Sequence, residues 1–406
     1  MNKSARKALI IGCGIAGPVA ALYLQRAGIE AEIYEARDES TDYGGSFLNT
    51  ACNGLDVLKP LGLDGLVSQQ GSPIPRLMIW NGEGKQLGEV RNGARAEIGA
   101  PSINILRSRL HLVLREGAER QGIKVAFGKK LVGLATGEHG VTATFEDGTT
   151  AEGTFLLGCD GVHSRTRHLI NPDAPIPQYT GLMSTGGFAQ HASFPATPDM
   201  QHFIFGKRAF FGYHVSAAGE LYWFVNFPQK TVPARGEIEM IESQEWQERM
   251  RDLFREDLPL ISEMIRATES KIIVYPIYDI RTQPLWSRER VVLVGDAIHA
   301  ISPNAGQGAS LALEDAIVLA RCLRDQEDHT QAFATYERLR RTRVERAVQY
   351  GRRLGQSKVI TNPIQVRMRD LMTPFFLKHF ANPAALDWVY SYHVNWDERV
   401  TRAFHF

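Results

Sequence analysis

Cysteine is scarce in this 406-residue chain. Its four copies, Cys13, Cys52, Cys159 and Cys322, are widely scattered and form no CxxC pair. A disulfide scaffold is therefore not expected, and four reduced structural thiols are. Metal-ligand spacing is missing as well: the twelve histidines are dispersed without an HExxH pattern, so no metal is expected. Neither sign of charge is in excess. With 46 basic against 45 acidic residues and a net charge of +1, nothing singles out nucleic acid or an acidic membrane as a partner. No uninterrupted apolar run approaches the roughly 18 residues of a membrane span. The opening MNKSARKALIIG sets basic residues before an apolar run, as a signal peptide would. That run, Ala8–Ile11, is only one strand long and leads straight into a glycine motif. The N-terminus is read as mature and the protein as cytoplasmic. Internal repeats, low-complexity tracts and long linkers are absent too.

What is present is an ordinary globular composition, 44% hydrophobic and 22% charged. At about 150 residues per domain the length suggests two or three units. Ala8–Ile11 reads as a buried strand, PVAALYLQRAG as a helix stopped by Gly28, and residues 31–35 as a second strand, giving a parallel β-turn-α-β opening. Helical spacing follows at 109–121, then strands at 124–127, 131–136, 141–145 and 154–157. Between about Gly181 and Phe227 the texture changes to aromatic strands, HFIF, AFFGYHV and LYWFVNF, which suggest an antiparallel sheet with rings on one face. A helical stretch at 243–266, strands IIVYPI and RVVLVGD, and helices at 310–324 and 331–353 complete the pattern.

Three segments carry chemistry. The first is Gly12-Cys13-Gly14-Ile15-Ala16-Gly17, between a strand and a helix. There the first glycine permits a tight turn, the second lets a pyrophosphate approach the backbone, and the third lets helix and strand pack closely. Glu35 closes the second strand, placed to accept from a ribose 2′-OH. The second segment is VVLVGDAIHAISPNAGQGASLALED over residues 291–315: Asp296 ends a strand, and a glycine loop then presents backbone N–H groups and a helix N-terminus. The third is LGCDGVHSRTR over 157–167, with Asp160 in an Asp-Gly turn.

In this order the three segments resemble the flavoprotein aromatic hydroxylases, the family of para-hydroxybenzoate hydroxylase and the tetracycline-inactivating monooxygenases. The resemblance covers roughly residues 7–350. It implies an α/β fold: a Rossmann-like FAD-binding domain (1–75, 100–178 and 275–355), an inserted β-sheet substrate domain (76–99 and 179–274) and a C-terminal helical segment (356–406). Gly12, Gly14, Ile15, Ala16 and Gly17 would hold the FAD pyrophosphate and Glu35 the adenosine ribose. Arg107 would approach the phosphates and ribityl chain. Asp160 would serve both FAD and NAD(P)H, and Asp296 would bind the ribityl chain. Gly306, Gly308, Ala309 and Ser310 would line the pyrimidine side of the flavin, where amide dipoles stabilise charge at N1 and O2. The loop Gly44-Gly45-Ser46, with Asn53 beyond it, resembles the family's segment beside the isoalloxazine ring. The implied reaction is an FAD-dependent monooxygenation using NADPH or NADH as transient co-substrate, with O2 adding at C4a to give a hydroperoxyflavin that hydroxylates an aromatic molecule. No second GxGxxG domain for the nicotinamide is present, and no thioredoxin-like extension is expected beyond Phe406.

For the substrate wall, strand alternation puts either Phe211, Tyr213 and Val215 or Phe210, Gly212 and His214 on one face, and the register stays open. Tyr213 and His214 form the leading catalytic pair, beside His202, Tyr222 and Asn226; His299 is a further candidate near the flavin. The basic cluster Arg338, Arg340, Arg341, Arg343 and Arg346 alternates with Glu337 and Glu345 and reads as a solvated face or dimer surface, in a monomer or homodimer. Two other functions stay in view: a reductase or dehydrogenase of the same fold, and a non-catalytic FAD-fold carrier. A halogenase is disfavoured because no WxWxIP segment occurs.

Overall fold

The computed structural model describes residues 6–39, 46–94, 100–234, 236–356, 358, 360, 362–380 and 383–400. Gly44 and Gly45 of the expected flavin-side loop lie outside them. The first sheet has the strand order Ser287–Arg288, Val291–Leu293, Phe155–Gly158, Lys7–Ile11, Glu30–Tyr34, Lys124–Ala126. All its pairs are parallel except the one formed by Ser287–Arg288. Lys7–Ile11 sits centrally because both its faces are apolar, with Ala8, Leu9 and Ile10 fully buried. The chain goes to one side of it for Glu30–Tyr34 and to the other for Phe155–Gly158, and at such a switch point the carboxyl ends of parallel strands open onto a crevice. Helix Ala16–Arg26 packs on this sheet and against the later helix Gly308–Asp325. It stops where Gly28 takes φ +76°, a conformation that costs glycine little.

The second sheet runs Tyr275–Asp279, Gln178–Ala189, Leu221–Pro228, Phe210–Val215, Met200–Phe205, Arg76–Asn81, Gln86–Arg91. One face of it carries Ile204, Phe211, Tyr213, Val215, Trp223 and Val225 into a core closed by the helices Ser243–Leu253 and Pro259–Arg266. Two boundaries differ from the sequence reading. Tyr275–Asp279, placed with the dinucleotide domain, pairs instead with Gln178–Ala189 in the second sheet. The single helix expected over 243–266 is broken after Leu253, where Leu258 N donates to Gly82 O and Pro259 starts a new helix at its favoured first position. Helix Pro363–Phe380 lies against the edge strand Gln86–Arg91. Among the described residues no helix is long and apolar enough to cross a membrane.

Candidate active site

Four strands of the first sheet end at the same edge, and each hands over to a residue marked in the sequence. Lys7–Ile11 leads to Gly12, Glu30–Tyr34 to Glu35, Phe155–Gly158 to Asp160, and Val291–Leu293 to Asp296. The glycine loop is built by exclusion. Gly12 has φ +106°, and a Cβ there would sit 2.5 Å from Cys159 O. One on Gly17 would sit 2.0 Å from Gly12 O, whereas one on Gly14 meets no protein atom within 4 Å. The first and third glycines thus serve close packing, and the second faces open space. Ile15 N-caps helix Ala16–Arg26 without a side-chain cap, and the first turn holds no acid, so its N–H groups are available to an anion. Glu35 is fixed beside this loop: Oε2 accepts from Cys13 N at 2.7 Å and Oε1 from Arg37 N at 3.0 Å.

Asp160 is tied into its own turn. Ser164 Oγ donates to it at 2.6 Å, and Thr166 donates through N and Oγ1 at 2.9 Å each. Its carboxylate therefore shapes the wall of the crevice and starts the helix Arg165–Ile170. Asp296 is different, since its side chain is exposed although nearby protein desolvates it. Desolvation raises its carboxyl above the ordinary value, opposed by the charges of His299 and Arg107. An accessible group that is nonetheless desolvated is the signature of a deep groove rather than an outer surface.

Gly306, at φ +60°, turns the chain beside Asn49, and helix Gly308–Asp325 begins without side-chain cap or first-turn acid. Gly308 and Ala309 are half-buried, so their N–H groups are well placed for a ring edge. The Ser310 hydroxyl is committed elsewhere: it accepts from Ala51 N at 3.1 Å. The same helix anchors a buried charge network. Arg340 Nε reaches Asp315 Oδ1 and its NH1 reaches Glu314 Oε2, both at 2.7 Å, with all three side chains fully enclosed. Arg343 also binds Glu314, at 2.7 Å. Asn53 donates to Glu314 at 2.6 Å and to Gln307 at 3.1 Å. His299 pairs with Asp315 through Nε2, so it is a structural member of this network and not a side chain aimed at substrate. The arginine cluster is corrected likewise: Arg340 and Arg343 are internal counter-ions, because the acids they neutralise lie on the neighbouring helix.

The open register of 210–215 resolves toward Phe210, Gly212 and His214. Phe47, on the strand Phe47–Thr50 of the dinucleotide half, meets Tyr222 and Phe224 edge-on with centroids 5.6 and 5.8 Å apart. Phe224 in turn packs on Phe203 and Phe210, and Tyr222 on Phe188. Phe47, Phe188, Phe203, Phe205 and Phe224 are each only half-buried, and Phe47 brings the dinucleotide half against this aromatic face. Tyr213 points the other way, into the core behind the sheet. It stacks on His202 at 4.8 Å, and His202 accepts from Trp80 Nε1 at 2.9 Å, so neither faces the crevice.

His214 stacks on Tyr222, with Nδ1 3.1 Å from Met200 O. A carbonyl only accepts, so Nδ1 carries the proton and Nε2 is left as an acceptor without a partner. Burial lowers the His214 pKa and keeps the ring neutral. Tyr222 is locked by Glu220 (2.6 Å) and Arg109 (3.1 Å). Asn226 donates to Ser184 Oγ at 2.9 Å. One residue on this face was not foreseen: Lys358 reaches Asn226 Oδ1 at 2.8 Å from beyond the long helix His329–Gln356. No local pattern marks a lysine in GQSKVI as internal.

Comparison with known proteins bears on the same crevice. A family model described as an FAD binding domain matches residues 6–350. The chain belongs to the flavoprotein aromatic hydroxylases. Within that family it is 31% identical over 356 residues to an aurachin C monooxygenase/isomerase of Stigmatella aurantiaca, covering 87% of this chain and 90% of that one. It is 30% identical to a 6-hydroxynicotinate 3-monooxygenase of Pseudomonas fluorescens, covering 83% and 88%. Among solved structures, Klebsiella pneumoniae HpxO complexed with FAD and uric acid superposes with a TM-score of 0.80 at 26% identity, covering 91% and 93%. The hydroxylase family's cofactor, FAD, is the cofactor here. The crevice fits it on physical grounds: Gly14 leaves room at the loop, two helix N-termini are uncapped, and Asp296 looks into the groove.

Proposed function

We propose that this FAD enzyme hydroxylates a small or medium-sized aromatic molecule, consuming NADPH or NADH and O2. The observation that carries the reading is the meeting of four strand ends, at Gly12, Glu35, Asp160 and Asp296, with a wall of half-buried phenylalanines across the crevice. Gly12, Gly14, Ile15, Ala16 and Gly17 would take the pyrophosphate, Glu35 the ribose, Arg107 and Asp296 the chain between phosphate and ring, and Gly306, Gly308 and Ala309 the ring edge. Asp160 would shape the entrance used by FAD and the nicotinamide. When bound, FAD supplies the redox chemistry, taking up a hydride and activating O2 so that one oxygen atom reaches the substrate. The phenylalanine wall excludes water and presents faces and edges for a flat ring. His214 is the candidate base: its Nε2 is enclosed and without a partner, so a phenolic or ring N–H proton reaches it only when substrate parts the aromatic side chains around it.

The test is NAD(P)H consumption by the FAD-loaded protein in air, with phenols and fused heteroaromatics added singly and peroxide assayed in parallel. A compound that speeds consumption without matching peroxide supports the hydroxylase. Consumption indifferent to O2 points to a reductase, and FAD retention with no turnover points to a carrier. Two substitutions sharpen the assignment. His214→Gln is expected to lower kcat by about 10²-fold or more with FAD retained, whereas Tyr213→Phe, behind the sheet, leaves kcat within about twofold. Asp296→Ala is expected to weaken FAD binding by roughly tenfold or more, read as flavin lost on dilution, through removal of a charge-assisted hydrogen bond.

A further inference from the structure

Lys358 occupies an unusual position for a cation. Its Nζ lies 3.8 Å from the centroid of Phe210 and 5.4 Å from that of Phe224, both on the wall that faces Phe47 and the dinucleotide half. Its hydrogen-bond partner is the carbonyl oxygen of Asn226, whose own amide is pinned by Ser184 and Val225 O. Among the described residues no carboxylate lies within ion-pair distance of it. An ammonium has three donors, and only one is used here. Held over two rings without a counter-ion, it is desolvated enough for its pKa to fall to about 7. Yet the side chain is only half-buried, and it sits on the face of the sheet that carries Phe210, Phe224 and Asn226, opposite the packed core behind.

We infer that Lys358, positioned by Asn226, is the receptor for an acidic group on the aromatic substrate, a carboxylate or an ionised hydroxyl that supplies the missing counter-charge. The inference rests on the hydroxylase reading and narrows its substrate class to anionic rings. The cation–π contact with Phe210 orients the ammonium from one side, and Asn226 Oδ1 fixes it from another. The remaining N–H donors are left for the anion.

The experiment titrates FAD-loaded full-length protein with acid and neutral pairs: benzoate and benzamide, 4-hydroxybenzoate and its methyl ester, 6-hydroxynicotinate and its amide. Binding is read from perturbation of the flavin absorbance. In the unmodified protein at least one acid is expected to bind about tenfold more tightly than its neutral partner. Lys358→Met should erase that difference while FAD stays bound and the neutral rings bind within about twofold; Lys358→Arg should restore most of it. An unmodified protein without acid preference, or a preference that survives Lys358→Met, overturns the inference and leaves the hydroxylase reading intact. Failure of FAD to load, or of any ring to perturb the flavin, overturns the hydroxylase reading and this inference with it.

Discussion

Gly14→Val is expected to give a folded protein that no longer retains FAD. The position has no positive φ, so a side chain adds no backbone strain. A Cβ there meets no protein atom within 4 Å, so the fold has nothing to lose. On the proposed placement the new atoms stand where the pyrophosphate approaches the backbone, and the expected loss is at least about 100-fold in affinity, or roughly 3 kcal/mol. Flavin absorbance after gel filtration measures the loss, and thermal unfolding of the apoprotein, unchanged within about 2 °C, measures the fold. Gly17→Ala is the contrasting control: its Cβ would overlap Gly12 O at 2.0 Å, so helix and loop must separate and the protein itself should fail. Full flavin retention by Gly14→Val would mean that this loop is not where the phosphates lie.

The second large effect is on stability. Arg340→Met removes the cation that Glu314 and Asp315 share in a region without solvent. Breaking a buried pair by removing one partner costs about 3–5 kcal/mol, because the acids left behind stay desolvated. A fall in urea midpoint with unchanged slope is the expected readout. The same network sets the acid limit. Although burial alone would raise the Asp315 carboxyl, His299 and Arg340 hold it down to about 2, below its ordinary 3.8. A depressed carboxylate contributes stability that is complete above the unfolded value and lost as pH falls toward the folded one. Unfolding below about pH 4 should therefore be shallower in Arg340→Met, since part of that contribution is already gone. An unchanged midpoint would show that Arg343 alone suffices for Glu314.

The parts of the site that were legible in the sequence are those written in local syntax. A strand, a tight glycine turn and a helix occupy consecutive residues, so Gly12 to Gly17, Glu35 and Asp296 announce their positions without tertiary information. The register of 210–215 was not legible because Phe210 and Phe211 are both buried, one against the crevice wall and one against the helices behind. When both faces of a strand are apolar, alternation says nothing. Arg340 misled for a related reason. On its own helix it sits among Glu337, Arg341 and Glu345, which do form a half-buried ladder of ion pairs, while its true partners lie 25 and 26 residues earlier on another helix. Tyr275–Asp279 likewise joins a sheet whose other strands left the sequence pattern long before it.

The strand order of the dinucleotide sheet has a consequence for synthesis. Lys7–Ile11 must wait for Phe155–Gly158, which in turn must wait for Val291–Leu293. At ribosomal rates this delay is on the order of 15–60 s. For roughly the first half of that time the apolar strand Lys7–Ile11 has only Glu30–Tyr34 beside it, for the rest Phe155–Gly158 is the open edge, and an unpaired edge of this kind templates aggregation. Chains stalled before Val291 should thus depend on holding chaperones.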